Sequence, residues 1–304
     1  MANWAALLTE QKNPASTDID EVSTQEMLAI INAEDARVAP AVKRQLPVIA
    51  KAVDLISTAL SKNGRLFYQG AGTSGRLGIL DASECPPTFG TEPALVQGLI
   101  AGGPDAVFQS VEGAEDNSEI GALDLCERNL SSKDVVVGIA ASGVTPYVLG
   151  GLQYAREQSA STILLTCSPS AAREIAVDVV VILDVGPEVI TGSTRLKAGT
   201  ATKLVLNMFS TGAMVKQGKT FGNLMIDLQP RNAKLRNRSV RILAELGQLS
   251  LHQACQLLSR AGGNLKLALI MAIAKLEREE AQALLTKHHG RVKSAIYNQT
   301  ANHQ

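Results

Sequence analysis

Five short apolar runs rich in β-branched residues, separated by segments with helical patterning, constrain the fold of this chain most strongly. The runs cover residues 65–69, 94–100, 134–140, 161–166 and 178–184. Strands that are apolar along their whole length are typical of parallel sheets, because helices cover both faces of such a sheet. Helical patterns cover 74–82, 117–130, 146–158 and 197–216. The alternation predicts an α/β fold built on a five-stranded, parallel, doubly wound sheet.

The segments on either side of the predicted sheet are helical. Patterns at 23–35 and 40–61 precede it, and Pro47 is expected to kink the second helix or to mark its restart. We therefore predict three parts, which are an N-terminal helical arm (1–50), the sheet domain (51–235) and a small C-terminal helical domain (236–304).

The C-terminal part contains a weak internal repeat. Leu-Leu-Ser-Arg at 257–260 returns as Leu-Leu-Thr-Lys at 284–287. The flanking glycines repeat in step, which predicts two helix–turn–helix units with turns near Gly263 and Gly290. Two copies favour a small helical bundle over a solenoid.

The charge balance disfavours nucleic acid or a membrane surface as a partner. Lys+Arg and Asp+Glu both total 29, so the formal net charge is zero. One local exception is the basic run at 231–241. We expect a solvated linker and helix face there, with an anionic-ligand or subunit contact as the alternative.

Other features of the sequence point to the cytoplasm. No apolar run reaches the roughly 18 residues of a membrane span. The N-terminus lacks the basic start and apolar core of a secretory signal. The four cysteines show no CxxC spacing and are expected to be reduced thiols.

Histidine is absent from the first 251 residues. A Ser-His-Asp triad or a His-ligated zinc site built within the α/β part is therefore excluded. Proton transfer in that part must use Glu, Asp, Lys, Tyr or Cys.

A glycine-rich loop follows the first apolar run. Residues 70–75, Gly-Ala-Gly-Thr-Ser-Gly, match the G-x-G-x-x-G dinucleotide pattern. Two observations argue against a dinucleotide: the run at 94–100 ends without an acidic residue to hold a ribose, and Thr73 and Ser74 place hydroxyls where a pyrophosphate loop needs bare backbone.

A second loop repeats this chemistry. The run at 134–140 leads into Ala-Ser-Gly-Val-Thr at 141–145, and Pro146 suits a first helical position. Helix N-termini attract anions, so two such loops suit one phosphate monoester. The alternative is that both are ordinary turns with helix caps. The predicted ligands are Gly72, Thr73, Ser74, Ser142, Gly143 and Thr145.

Longer motifs resemble the SIS (sugar isomerase) family of phosphosugar-binding domains and, within it, the bacterial N-acetylmuramic acid 6-phosphate etherases. The matching stretches are Thr9–Asp20, Gly70–Gly90, Val111–Asn117, Gly138–Tyr147 and Gly186–Thr200. The run Asp-Ala-Ser-Glu-Cys-Pro-Pro-Thr-Phe-Gly at 81–90 is the most specific of these. The resemblance implies the flavodoxin-like SIS fold. The vertebrate glucokinase regulators are also similar, but they are longer.

The resemblance implies a carbon–oxygen lyase of cell-wall sugar recycling. It would cleave the D-lactyl ether of N-acetylmuramic acid 6-phosphate to N-acetylglucosamine 6-phosphate and D-lactate. The C2 proton lies next to the open-chain aldehyde and is removable by a carboxylate, while the C3 oxygen needs a proton as it departs. Water then adds. One acid and one base suffice, so no metal or redox cofactor is required.

Glu84 and Glu115 are the candidate acid and base, and the resemblance points to the same positions. Glu84 precedes Cys-Pro-Pro, a rigid and partly apolar setting that favours a protonated carboxyl group. Glu115 precedes the predicted helix at 117–130. Each has a structural alternative, an exposed helix end for Glu84 and a helix-dipole contact for Glu115. Glu112 and Asp116 are the nearest rivals.

A third motif follows the last predicted strand, and in similar proteins this region lines the sugar pocket. Glu188, Thr191, Ser193 and Lys197 are therefore candidate substrate ligands. The alternative is a capped helix start with a solvated lysine.

The spacing of the motifs raises a problem of distance. A straight helix from Ser74 to Glu84 separates them by about 15 Å, which exceeds the length of a phosphosugar. Either the chain turns back at the prolines, or a second subunit completes the site. We favour the second, which predicts a homodimer with shared sites. An aldose–ketose phosphosugar isomerase and a non-catalytic phosphosugar sensor are the alternative functions.

Overall fold

The computed structural model describes residues 7–170, 175–227 and 233–300. Its five-stranded sheet is parallel throughout, with the strand order β2–β1–β3–β4–β5. The strands are β1 Leu66–Gly70, β2 Val96–Ile100, β3 Val135–Ile139, β4 Ser161–Thr166 and β5 Val179–Ile182. β1 and β3 are buried at every position, as both-face burial requires. The predicted fold class is confirmed.

The strand register places two of the predicted loops side by side. Gly70 at the end of β1 is paired with Ile100 of β2 and with Ile139 of β3. The chain winds from β1 to one side to form β2 and to the other side to form β3. This reversal makes a crevice at the carboxyl ends of β1 and β3, where ligands of open α/β sheets bind.

Helices cover both faces of the sheet in the sequence positions expected. They are α1 Thr24–Asp35, α2 Val38–Arg44, α3 Leu46–Ser61, α4 Gly72–Phe89, α5 Ser118–Glu127, α6 Pro146–Glu157 and α7 Lys197–Lys216. Ser23 and Glu26 form a capping box at the start of α1. Pro47 lies in the first turn of α3, so it marks a restart of the helix rather than a kink.

The helix α4 differs from its prediction. The pattern predicted 74–82, whereas α4 continues through Pro86 and Pro87 to Phe89. A proline removes one intrahelical hydrogen bond, and near the end of a helix this loss affects only the last turns. The idea that the chain turns back at these prolines is therefore wrong.

The described chain divides into two compact units. One contains residues up to Ser83 together with Pro93–Gly212, and the other contains Glu84–Glu92 together with residues from Ala213 onward. Both α4 and α7 have residues in each unit. The three-part division drawn from the sequence remains a prediction, and residues 1–6 of its N-terminal arm lie outside the described ranges.

The second unit is mainly helical. A hairpin, β6 Thr220–Phe221 and β7 Leu224–Met225, precedes α8 Ala233–Gly247, α9 Leu251–Arg260, α10 Leu265–Ala274, α11 Arg278–Lys287 and α12 Val292–Thr300. The repeat is confirmed, because α9 and α10 correspond to α11 and α12. The turns carry Gly263 and Gly290 in left-handed conformations, with φ of +81° and +75°.

Two sequence expectations concern this unit. In the predicted basic run, Arg231 lies outside the described residues, while Arg236 and Arg241 are exposed on α8, as a solvated helix face requires. No single helix of the described chain is long and apolar enough to cross a membrane. Together α9 and α10 reach that length and composition, but a bend of 115° separates them.

Candidate active site

A cavity of about 250 Å³ occupies the crevice at the carboxyl ends of β1 and β3. Both predicted phosphate loops reach it, as do an N-terminal segment and the segments at 115–116 and 192–194. The polar residues that line it are Thr9, Glu10, Thr73, Ser74, Glu115, Asp116, Ser142, Thr145 and Thr194.

The first loop turns directly from β1 into α4. A Cβ atom at Gly70 would lie 2.8 Å from the backbone nitrogen of Gly75, so a side chain there would push the first turn of α4 away from the strand. Gly72, Thr73 and Ser74 form that first turn and line the crevice. The N–H groups of a first helical turn lack intrahelical partners and are available to an anion.

The second loop brings Ser142 and Thr145 to the same crevice. Thr145 is the N-cap residue of α6, yet its side chain makes no capping hydrogen bond, so the ordinary capping role is not seen here. Gly143 is buried with φ of +77° and turns the loop without lining the crevice. Five of the six predicted phosphate ligands therefore meet at one place.

The described lining of the crevice contains Glu10, Glu115 and Asp116 but neither lysine nor arginine. Attraction for a phosphate must then come from backbone N–H groups, hydroxyl groups and the dipoles of α4 and α6. Within the described ranges, no group of three or more His, Cys, Asp or Glu side chains is arranged to hold a metal ion.

Glu115 lies in a short 3₁₀ turn, Ala114–Asp116, that follows Gly113 and precedes α5. The N-cap of α5 is Asn117, whose side chain accepts a hydrogen bond from the backbone N–H of Ile120 at 3.1 Å. The start of this helix is thus already capped, and Glu115 is exposed to the crevice. Its rival Asp116 also lines the crevice, whereas Glu112 lines only a neighbouring cavity.

The N-terminal segment forms a wall of the crevice that sequence reasoning did not anticipate. Its backbone is tied to the segment after β5, because the N–H of Gly192 donates to the Thr9 carbonyl (3.1 Å) and the Ser16 hydroxyl donates to the Val189 carbonyl (2.8 Å). Thr9 and Glu10 thereby reach the crevice. Their place at the head of the Thr9–Asp20 motif was the available signal.

Two predicted ligands are buried elsewhere. Glu188 accepts hydrogen bonds from the backbone N–H groups of Lys197 (3.0 Å) and Ala198 (2.8 Å), so it caps α7. Burial raises the pKa of Glu188, although those hydrogen bonds oppose the rise. Lys197 is 1% exposed and forms an ion pair with Glu34. The alternative of a solvated lysine is wrong, and direct substrate contact by either residue finds no support.

Glu34 is the centre of this buried arrangement. It accepts hydrogen bonds from Asn13 (2.8 Å), from Arg37 (3.1 Å) and from Lys197. Burial alone would raise the pKa of Glu34, but the bonds from Lys197, Asn13 and Arg37 outweigh it and lower the pKa. We call Asn13, Glu34, Arg37, Glu188 and Lys197 the support network.

Thr191 and Ser193 do not line the crevice, whereas Gly192 and Thr194 do. The motif was correctly placed next to the site, but the residues facing it are shifted by one position. In an irregular segment, the facing residues depend on backbone turns that composition does not reveal.

Glu84 lies on α4, outside the described lining of the crevice, and it is exposed. The expected partly apolar setting is therefore not found around its carboxyl group. Cys85, the next residue, is the buried one.

Comparison with known proteins places these features in a family context. The family described as the glucokinase regulatory protein N-terminal SIS domain matches residues 48–156. An N-acetylmuramic acid 6-phosphate etherase from Edwardsiella ictaluri is 53% identical over 294 residues, covering 97% of this chain and 98% of the relative. An N-acetylmuramic acid 6-phosphate etherase 2 from Vibrio parahaemolyticus is 53% identical and covers 96% and 97%.

The matches among solved structures are more distant. A phosphoheptose isomerase from Neisseria gonorrhoeae is 19% identical with a TM-score of 0.49, covering 63% of this chain and 98% of that chain. A phosphoheptose isomerase from Francisella tularensis is 17% identical with a TM-score of 0.49, covering 64% and 99%.

Proposed function

This chain belongs to the N-acetylmuramic acid 6-phosphate etherase family, and on that premise we propose how its crevice carries out the reaction. Its relatives match over nearly its whole length, and the resemblance seen in the sequence is confirmed. The chain removes D-lactate from N-acetylmuramic acid 6-phosphate and leaves N-acetylglucosamine 6-phosphate. This is the chemistry of a carbon–oxygen lyase in cell-wall sugar recycling.

The two hydroxyl-rich loops hold the 6-phosphate. Thr73 and Ser74 begin α4, while Ser142 and Thr145 precede α6, and all four line one crevice. A phosphate there meets hydroxyl donors and free N–H groups from two helix starts. This arrangement supports the phosphate site without a lysine or arginine on the described wall.

Glu115 removes the C2 proton. Its carboxylate lines the crevice beside the phosphate loops, within the space that a sugar on those loops would fill. The electron pair left at C2 forms a double bond to C3 as the bond from C3 to the lactyl oxygen breaks. Water then adds to C3 and gives its proton to Glu84, while Glu115 returns its proton to C2, so both carboxyl groups regain their starting states. A positioned carboxylate contributes about 10²- to 10⁴-fold to such a step.

Glu84 protonates the departing lactyl oxygen, and we propose that it acts in the site of a second copy of the chain. Two observations support this role. Glu84 is exposed, and α4 is unbroken, so Glu84 is about 15 Å along the helix from Ser74. Phe108 is 92% exposed and Val111 is 42% exposed, which gives the 108–111 segment an apolar surface suited to a subunit contact.

The experiment that tests the activity is product analysis with N-acetylmuramic acid 6-phosphate. We expect equal amounts of D-lactate and N-acetylglucosamine 6-phosphate. Interconversion of aldose and ketose phosphates without lactate would identify an isomerase instead. Tight binding without turnover would identify a sensor.

Shared sites are tested by mixing two inactive variants. In a dimer of Glu84→Ala with Glu115→Ala, one of the two sites keeps both carboxyl groups, so re-equilibrated mixtures should recover about a quarter of the wild-type activity. Either variant alone should remain inactive. A mixture with no recovery contradicts the shared site.

We also propose that the chain works in the reducing cytoplasm. Within the residues that the structure describes, Cys85, Cys126, Cys167 and Cys255 form no disulfide, as is usual for proteins of a reducing compartment. Detection of the protein in the periplasmic fraction of intact cells would contradict this.

A further inference from the structure

A second cavity, of about 290 Å³, adjoins the crevice. We call it the side cavity. Ala71, Gly72 and Glu115 line both spaces, so Glu115 stands at their boundary. A sugar that presents C2 to Glu115 from the crevice carries its C3 substituent one bond further on. The side cavity is therefore the space next to the reacting atoms that the phosphate loops leave open.

Arg76 lines the side cavity and lies on α4 directly after the phosphate loop at 70–75. Its Nε donates to the Val107 carbonyl at 2.9 Å and its Nη2 donates to the Gln109 carbonyl at 3.3 Å. A guanidinium group has five N–H donors, so these two bonds fix its position and leave three donors for a ligand. Among the described residues that line either cavity, Arg76 is the one lysine or arginine.

The substrate carries two anionic groups, and the crevice loops suit only the phosphate. The other is the lactyl carboxylate, a planar group that pairs with guanidinium through two parallel hydrogen bonds. The side cavity also presents Ala106 and Val111, which suit the lactyl methyl group. Glu112 and Glu115 line the same space, so a carboxylate entering it without a cation would be repelled.

Resting on the etherase function proposed above, we infer that the side cavity holds the D-lactyl group and that Arg76 binds its carboxylate. Arg76 is then a specificity residue, since it contacts the part of the substrate that leaves. The product N-acetylglucosamine 6-phosphate has no lactyl group and does not use it. Loss of Arg76 should therefore weaken binding of the substrate and leave binding of the product unchanged.

The test compares wild type with Arg76→Gln in three measurements. These are kcat/KM for N-acetylmuramic acid 6-phosphate, kcat/KM for the analogue whose lactyl carboxylate is an amide, and the inhibition constant of N-acetylglucosamine 6-phosphate. For Arg76→Gln we expect kcat/KM on the acid to fall about 10- to 100-fold, as loss of a charge-assisted pair predicts. The amide should react equally with both proteins, and product inhibition should not change.

Arg156→Gln removes an exposed arginine from α6 and serves as the matched control, with all three values unchanged. Equal losses by Arg76→Gln on the acid and the amide, or an equal loss of product binding, overturn the inference. If Arg76→Gln does not fold, the wild-type protein still tests the inference. Its kcat/KM must then be about 10- to 100-fold higher for the acid than for the amide analogue. Absence of lactate release by wild type refutes the etherase function instead.

Discussion

The crevice between β1 and β3 and the support network both take residues from the Thr9–Asp20 and Gly186–Thr200 motifs. Polar groups in the crevice face open space, whereas those of the support network are paired and mostly buried. Glu115 is exposed to the crevice, and the Thr145 side chain makes no capping bond there. Glu34 and Lys197 are buried and paired with each other. The difference teaches that membership of a motif does not assign a role. Burial and pairing separate residues that act on substrate from residues that hold the site together.

The largest expected effect comes from the crevice. Replacing Glu115 with Gln keeps the shape and removes the base, so kcat should fall about 10²- to 10⁴-fold, as loss of a positioned base predicts. The midpoint of thermal unfolding should not change, because the side chain is exposed. Steady-state kinetics measures the fall in kcat, and a melting curve measures the midpoint of unfolding. A large fall in the midpoint would place Glu115 with the support network.

Substitutions in the support network should lower the stability of the protein, whereas the Glu115 substitution should lower its activity. Lys197→Met removes the buried cation that pairs with Glu34 and leaves only the exposed Arg37, and breaking such a buried pair costs about 3 kcal/mol of unfolding free energy. Urea unfolding followed by circular dichroism measures this. Lys51→Met, at an exposed position on α3, is the matched control and should change stability little. A raised KM with unchanged stability would restore Lys197 as a direct ligand.

A smaller effect is expected at the phosphate loop. Thr145→Val keeps the side-chain shape and removes one hydroxyl donor, so KM should rise about 10-fold, the worth of one hydrogen bond to a charged group. Stability should be unchanged, since this hydroxyl does not cap α6. Thr200→Val, at an exposed position on α7, is the control. An unchanged KM together with lost stability would favour the ordinary capping turn.

The smallest effect concerns pH. The pKa of Glu34 lies below its ordinary value of 4.5 in the folded chain, because hydrogen bonds from Lys197, Asn13 and Arg37 outweigh burial. Its contribution to stability is thus present above about pH 4.5 and is lost as pH falls through the folded pKa. The stability difference between wild type and Glu34→Gln should shrink from pH 6 to pH 3. A difference that grows toward low pH would contradict the assigned direction.

The sequence predicted the sheet and the meeting of the two loops at one crevice because those features depend on local patterns. Short apolar runs are typical of strands covered on both faces, as β1 is, and the glycine at position 70 marks the tight turn into α4. It also predicted the helical repeat, whose two copies match in length and turn position.

The roles of Glu188 and Lys197 could not be predicted from the sequence. The segment between them folds back so that Glu188 caps the helix that Lys197 begins, and Lys197 pairs with Glu34, which is 163 positions away along the chain. Glu10 was missed for the same reason, since its place in the crevice depends on a backbone hydrogen bond from Gly192 to Thr9. Such long-range pairings leave no periodic signal.

The most direct test of the account is exchange of the C2 proton in deuterated water, followed by nuclear magnetic resonance. With Glu84→Gln, we expect deuterium to enter C2 of N-acetylmuramic acid 6-phosphate while the lactyl ether at C3 stays intact. With Glu115→Gln, neither exchange nor lactate release should occur. Exchange at the wild-type rate in Glu115→Gln would show that another group removes the proton, and the central claim would be wrong.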